Sequence, residues 1–182
     1  MADTSLHPAQ VVDFWRNAGP QRWFTKDPAF DQAFSARFLD LHMAAARRQL
    51  DAWQDTAYGT LALLILLDQF PRNAFRGTGH MYATDPLARY YARNMLKSGQ
   101  DAEIEASMRV FCYLPFSHSE NMQDQRLAVE KNTPLGSLAL FHAEEHLEII
   151  KQFGRFPHRN RELGRDTTPE EQAFLDGGGF AG

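Results

Sequence analysis

The chain is poor in most of the features that announce a function. It has one cysteine, Cys112, so no internal disulfide can form. That thiol lies in the apolar stretch MRVFCYLPF and reads as a small core residue in a reducing compartment. No block of basic residues stands out, and a net charge of −4 argues against general nucleic-acid binding, which needs a positive footprint to displace counterions. The longest apolar run meets Asp68 and Pro71 before it reaches the roughly 20 residues of a membrane span, so no membrane partner is expected. The opening residues MADTSLHPAQVVDFW have neither a basic nor an apolar leader region, and nothing in them marks export. A cytoplasmic protein that meets a small molecule or a protein partner is what these absences leave. Strict apolar–polar alternation is missing too, as are Asn-Gly or Asp-Gly hairpins between β-branched runs. The expectation is therefore all-α.

What is present is organised around residues 57–73, AYGTLALLILLDQFPRN. The first eleven are apolar nearly all round a helical wheel, the pattern of a buried helix, and the central helix is placed at about 57–70. Pro71 should end or kink it. A single domain over residues 1–182 can hide roughly 70 % of its unfolded surface in one core. About seven helices are expected. One opens at His7-Pro8 and stops at Gly19-Pro20, and Trp23 and Phe24 plug the core behind it. Another starts at Asp27-Pro28 and runs to about Trp53, with Phe30, Phe34, Phe38 and Leu41 inward. Asp85-Pro86 starts the next, with Leu87, Tyr91 and Met95 on one face. A helix from Asp101 ends near Pro115; a short one covers 120–131. Thr133-Pro134 begins a long helix that ends at Gly154. Thr168-Pro169-Glu170-Glu171 is a capping box for the last, and residues 177–182 form a loose tail.

Three polar-rich stretches stand out: LLDQFPRNAFRGTGHMYATDPLA (66–88), YLPFSHSENMQDQ (113–125) and HLEIIKQFGRFPHRNRELGRDTTPEEQAFL (146–175). Together with DFW and WFTKDPAFD near the start, they resemble the signature segments of a mainly bacterial domain-of-unknown-function family, DUF924. The resemblance spans nearly the whole chain. It implies an all-helical fold of the tetratricopeptide-like superfamily, although no 34-residue tetratricopeptide consensus is legible here, and it implies no reaction.

The candidate site comes from the same stretches. Asp68, Gln69, Arg72 and Asn73 leave the buried helix together; His118, Ser119, Glu120, Asp124 and Gln125 form a second group; Arg155, His158, Arg159 and Asn160 form a third, and His146 joins them through the resemblance. Ionisable groups set among aromatics and proline suit the wall of a concave site. In such a pocket Arg72, Arg155 and Arg159 would fork onto the carboxylate or phosphate of a small anionic ligand or of an acidic peptide, with Asp68 and Glu120 orienting them and His118 or His158 moving protons near neutral pH. The same residues admit an enzyme reading with Glu120 or His118 as general base. They also admit a structural one, in which carboxylates serve buried arginines and the protein acts as an interaction scaffold.

Other constellations are weaker. His142-Ala-Glu-Glu145-His146 fits the inverted zinc-protease pattern, but the pair lies on the helix's apolar face and lacks an evident third ligand, so no metal is expected. Ser117 or Ser119 beside His118 has no nucleophile elbow. Gly77 and Gly79 neither follow a strand nor open a helix, so no phosphate-binding loop or cofactor is implied. The basic tract Arg155–Arg165 is diluted by Glu162 and reads as a turning connector.

Overall fold

The computed structural model describes residues 7–182, and among them every regular element is a helix. None is long and apolar enough to cross a membrane. The chain gathers into two compact units, one of residues up to Arg76 with His80–Pro115, the other of Gly77–Gly79 with Phe116–Gly182.

The first unit contains α1 (Pro8–Ala18), the single turn α2 (Pro20–Trp23), α3 (Pro28–Ala46), α4 (Ala57–Leu64), α5 (Phe70–Ala74), α6 (Asp85–Ser98) and most of α7 (Ala106–Ser117). Local chemistry sets several of these starts. The Asp27 carboxylate accepts from the amides of Ala29 and Phe30 at 3.0 and 3.1 Å, and Pro28 suits the first turn because it has no N–H to strand. Thr56 caps α4 through Gly59 N at 3.1 Å. Gly59 has no substitute: a Cβ there would lie 2.0 Å from the Trp53 carbonyl oxygen. Around α4, which is buried on all sides except at Tyr58, pack Val11, Val12 and Trp15 of α1 and Tyr91 of α6. Phe34 and Phe38 of α3 are fully buried and meet Phe14 at 5.3 and 5.2 Å between ring centroids. Each such ring contributes about 1.5–3 kcal/mol through burial.

Several boundaries differ from expectation. The helix from Asp27 ends at Ala46 rather than near Trp53, because Arg48 adopts a left-handed φ of 61°. Gln49 N then bonds Ala44 O and Arg48 N bonds Ala45 O, both at 2.9 Å, which satisfies the last carbonyls in a Schellman arrangement. Arg48 tolerates that position while its guanidinium forks onto Asp51 at 2.7 and 3.0 Å. Phe24 is 66 % exposed and plugs nothing, although its ring stacks 6.0 Å from Phe111. Pro115 lies inside α7, two residues before its end, where few amides remain to lose.

The central element is also not a helix broken at Pro71. Ile65–Gln69 form a π turn, in which Phe70 N reaches back five residues to Ile65 O. That skips Leu66 O, and Pro71, lacking an N–H, leaves Leu67 O unused as well. Both carbonyls are met from elsewhere: His42 Nδ1 donates to Leu66 O at 2.8 Å and Thr84 Oγ1 to Leu67 O at 2.5 Å. The chain then continues through α5.

In the second unit α8 (Met122–Asn132) packs on α9 (Ser137–Phe153), and α10 (Pro169–Asp176) follows a long connector. Asn121 Oδ1 caps α8 through Gln123 N at 2.8 Å. Thr133-Pro134 forms a separate 3-10 turn, cut from α9 by Gly136 at φ 108°, so α9 begins later than the cap-then-proline signal suggested. Its first turns are not inward. Leu138 and Phe141 are 71 % and 59 % exposed, whereas Ile149 and Ile150 form a core with Phe156. Gly77–Gly79 belongs to this unit because the Gly79 backbone lies against the connector: a Cβ would be 2.9 Å from Glu162 O. The segment 177–182 is held by Phe180, which packs on that core, so it is not loose along its length.

Candidate functional site

The polar residues of the three stretches sort into paired networks and one cluster that holds a buried histidine nitrogen without a hydrogen-bond partner among the described residues. In the first unit, Arg72 of α5 forks onto Asp85 at 2.8 and 2.9 Å. It also donates to the Asp68 backbone carbonyl at 2.7 Å, with the Asp68 carboxylate at 3.2 Å. Burial works against the Arg72 charge, but Asp68 and Asp85 outweigh it and raise its pKa above the ordinary value. Gln69 bonds Asp68 at 2.6 Å. Asn73 donates to Asp31 at 2.7 Å, and Arg76 joins the same carboxylate at 2.6 Å. Arg72 therefore faces two carboxylates, Asp68 and Asp85. Asp85 and Asp31 were missed because nothing local in sequence ties them to α5.

The connector of the second unit is clasped in the same manner. Glu120 accepts from Phe156 N at 2.8 Å and from Arg165 at 2.8 and 3.0 Å. Burial would raise the Glu120 pKa, yet Arg165 and the Phe156 amide lower it. Arg165 continues to Asn160 Oδ1 at 2.9 Å, and Asn160 Nδ2 to Glu171 at 3.1 Å. Glu171, the capping-box carboxylate, takes Arg155 at 2.6 and 2.9 Å and Thr168 N at 2.8 Å. Arg155 holds its pKa down to about 2. Arg155 thus pairs with Glu171 through both of its forked donors. Ser119 Oγ donates to Asp124 at 2.7 Å, and Gln125 Nε2 donates to the carbonyls of Ser117 and Ser119 at 2.7 and 2.6 Å. These bonds shape the loop before α8, and the Ser119 hydroxyl hydrogen goes to the Asp124 carboxylate.

His118, His146, His158 and Arg159 converge in a different way. The His146 ring lies 6.2 Å from His118, 5.4 Å from Phe156 and 4.7 Å from Phe180. Phe180 is also 5.1 Å from His158, and the Arg159 guanidinium lies 4.4 Å over the Phe156 ring. His146 is only 7 % exposed. Its Nδ1 is 2.7 Å from the His142 carbonyl oxygen, which can only accept, so Nδ1 carries the hydrogen and Nε2 a lone pair. That Nε2 is buried and has no hydrogen-bond partner among the described residues. Burial, reinforced by His118, pushes the pKa of His146 down to about 3, and the ring is neutral near pH 7.

The zinc-protease pattern fails on this geometry. The His142 side chain is 55 % exposed and 3.7 Å from Glu145, while His146 points inward from the same helix. Among the described residues, no three His, Cys, Asp or Glu side chains converge as metal ligands would. Cys112 is buried and its thiol pushed up to about 12, far from a reactive thiolate. Two open grooves lie in the first unit: one of about 520 Å³ lined by Phe14, Arg22, Phe30 and Arg37, another of about 410 Å³ lined by Gln54, Asn94 and Lys97. No residue expected from the sequence lines either.

An all-helical chain with these polar clasps falls in a class of bacterial proteins defined by sequence rather than by reaction. Residues 11–179 match the family described as bacterial protein of unknown function, DUF924, and the chain belongs to it. It is also similar to the solved structure of a protein of unknown function from Agrobacterium tumefaciens, at 56 % identity and a TM-score of 0.93, over 96 % of this chain and 99 % of that one. No curated protein matches the chain.

Proposed function

We propose that the protein binds a small anionic ligand, and that the site reduces from the three sequence stretches to His118, His146, His158 and Arg159 of the second unit. The observation that carries this reading is the buried Nε2 of His146 without a partner. Leaving a buried polar atom unmet costs about 1–3 kcal/mol, and such atoms in folded proteins call for an explanation such as a bound group. The surroundings favour negative charge. Arg159 and Arg165 lie near enough to Glu120 that both lower its pKa.

Binding is favoured over turnover by the same imidazole. A general base works best with a pKa near the operating pH, and His146 lies well below it. The test is native mass spectrometry of gently purified protein, followed by calorimetric titration with inorganic phosphate, sulfate, glycolate and acetate. Saturable binding that His118→Gln weakens supports the reading; a clean unliganded mass together with no heat from phosphate, sulfate, glycolate or acetate would overturn it.

A further inference from the structure

Resting on that reading, we infer the chemical class of the ligand: an anion that carries its own hydrogen-bond donor on or beside the charged group. A protonated phosphate and an α-hydroxy carboxylate both fit. The inference comes from the direction of one hydrogen bond. His146 Nδ1 is committed as a donor to the His142 carbonyl oxygen at 2.7 Å, so the ring's other nitrogen presents a lone pair. Nothing among the described residues donates to it. An anion made only of acceptors would meet that lone pair with another and repel it. An anion with an O–H satisfies the lone pair and places its charge in the field of Arg159, which lies near enough to act on the His146 ring.

Phe180 is one of the rings packed against this buried histidine. Its ring centroid lies 4.7 Å from that of His146 and 5.1 Å from that of His158. It reaches them over Gly177, Gly178 and Gly179, of which Gly178 has a φ of 82°. Ligand entry requires this ring to swing aside on the glycines, the residues with the fewest backbone restraints.

Matched anions that differ in the donor provide the test. Near neutral pH phosphate retains a proton and sulfate does not, at nearly the same size and shape. Glycolate has a hydroxyl that acetate lacks. The wild-type protein and the Phe180→Ala variant are titrated with all four by calorimetry, with the 15N resonance of His146 Nε2 followed by NMR. Phosphate is expected to bind about 10-fold to 100-fold more tightly than sulfate, or glycolate than acetate by the same factor, because the competitor leaves the buried acceptor unmet. Which pair discriminates identifies the phosphate or the carboxylate source. The Nε2 resonance should move with the donor-bearing anion alone, Phe180→Ala should strengthen binding, and His146→Leu should bring the ratio close to one. Equal binding of both members in both pairs, with the Nε2 resonance unmoved, overturns the donor requirement and leaves the anion reading standing. Absence of binding by all four anions to both proteins overturns the anion reading, and this inference with it.

Discussion

His42 and His146 offer the same half-satisfied ring in two settings. Each is buried, each gives its Nδ1 hydrogen to a backbone carbonyl, and each leaves Nε2 without a partner among the described residues. The carbonyls differ. Leu66 O, which His42 serves, has been released by the π turn and would otherwise be orphaned in the core of the first unit. The His142 carbonyl that His146 serves already lies within the hydrogen-bonded ladder of α9, so the bond orients the ring without rescuing a stranded group. The neighbours differ as well. His42 stacks on Phe70 at 4.9 Å, with Phe75 and His80 beyond it, whereas His146 faces His118 and the field of Arg159. An unmet nitrogen therefore does not by itself mark a ligand site. It does so where the ring has no structural debt to discharge and where charge gathers around it.

The sharpest attack on this comparison starts beside the π turn. Arg72→Leu takes the guanidinium away from the buried carboxylates of Asp68 and Asp85, and urea denaturation should show a loss of about 3–5 kcal/mol. A small loss would mean that this network is open to solvent and that its role as an anion receptor needs reviving. His42→Leu should cost about 1–3 kcal/mol at neutral pH, since Leu66 O loses its donor. His146→Leu is close in volume and strands no carbonyl, so it should cost less, within about 1.5 kcal/mol of either sign. The two histidines are equivalent, and the comparison collapses, if His146→Leu proves as damaging as His42→Leu.

Acid sharpens the difference between wild type and His146→Leu. The folded pKa of His146, about 3, lies below the unfolded value of about 6.5. Falling pH therefore adds a proton to the unfolded chain first, and stability drops through that window by about 1.4 kcal/mol per pH unit. His146→Leu should remove about 2 kcal/mol of the loss seen between about pH 7 and about pH 5. A residual slope of the same sign remains from His42, whose pKa burial also lowers. The smallest effect belongs to Phe180→Ala. With the ring gone, water reaches the imidazole, and an NMR titration should find the His146 pKa displaced upward toward that of an ordinary histidine. An unchanged value would assign the desolvation to Phe156 instead.

The sequence made the helices legible wherever their ends are governed by adjacent residues: Asp27 with Pro28, Thr168 with Glu171, and Gly154 each act over a single turn. It concealed the close of α3, because the left-handed residue is Arg48 rather than glycine and is restrained by Asp51 and Tyr90. The π turn was concealed for a stronger reason: its two released carbonyls are satisfied by His42 and Thr84, neither adjacent to it in the chain. The polar stretches were recognisable as polar among aromatics, but not their pairing. Arg72 finds Asp85 and Arg155 finds Glu171 only once the backbone has folded. His146 was legible as a core or pocket histidine. Phe180 was not, because a run of glycines reads as slack chain whatever follows it.

The π turn at Ile65–Gln69 also sets a phase. A π turn amounts to one residue inserted into an α-helix, and one residue corresponds to about 100° of rotation about the axis. α4, buried nearly all round, accepts almost any rotation, whereas Asp68, Arg72 and Asn73 each have one productive direction. Deleting a single residue between Leu63 and Leu67 would leave composition and hydrophobicity almost intact, yet turn Arg72 away from Asp85 and Asn73 away from Asp31. Length, in this stretch, is as strictly encoded as chemistry: a conservative-looking deletion here should be far more disruptive than most substitutions around it.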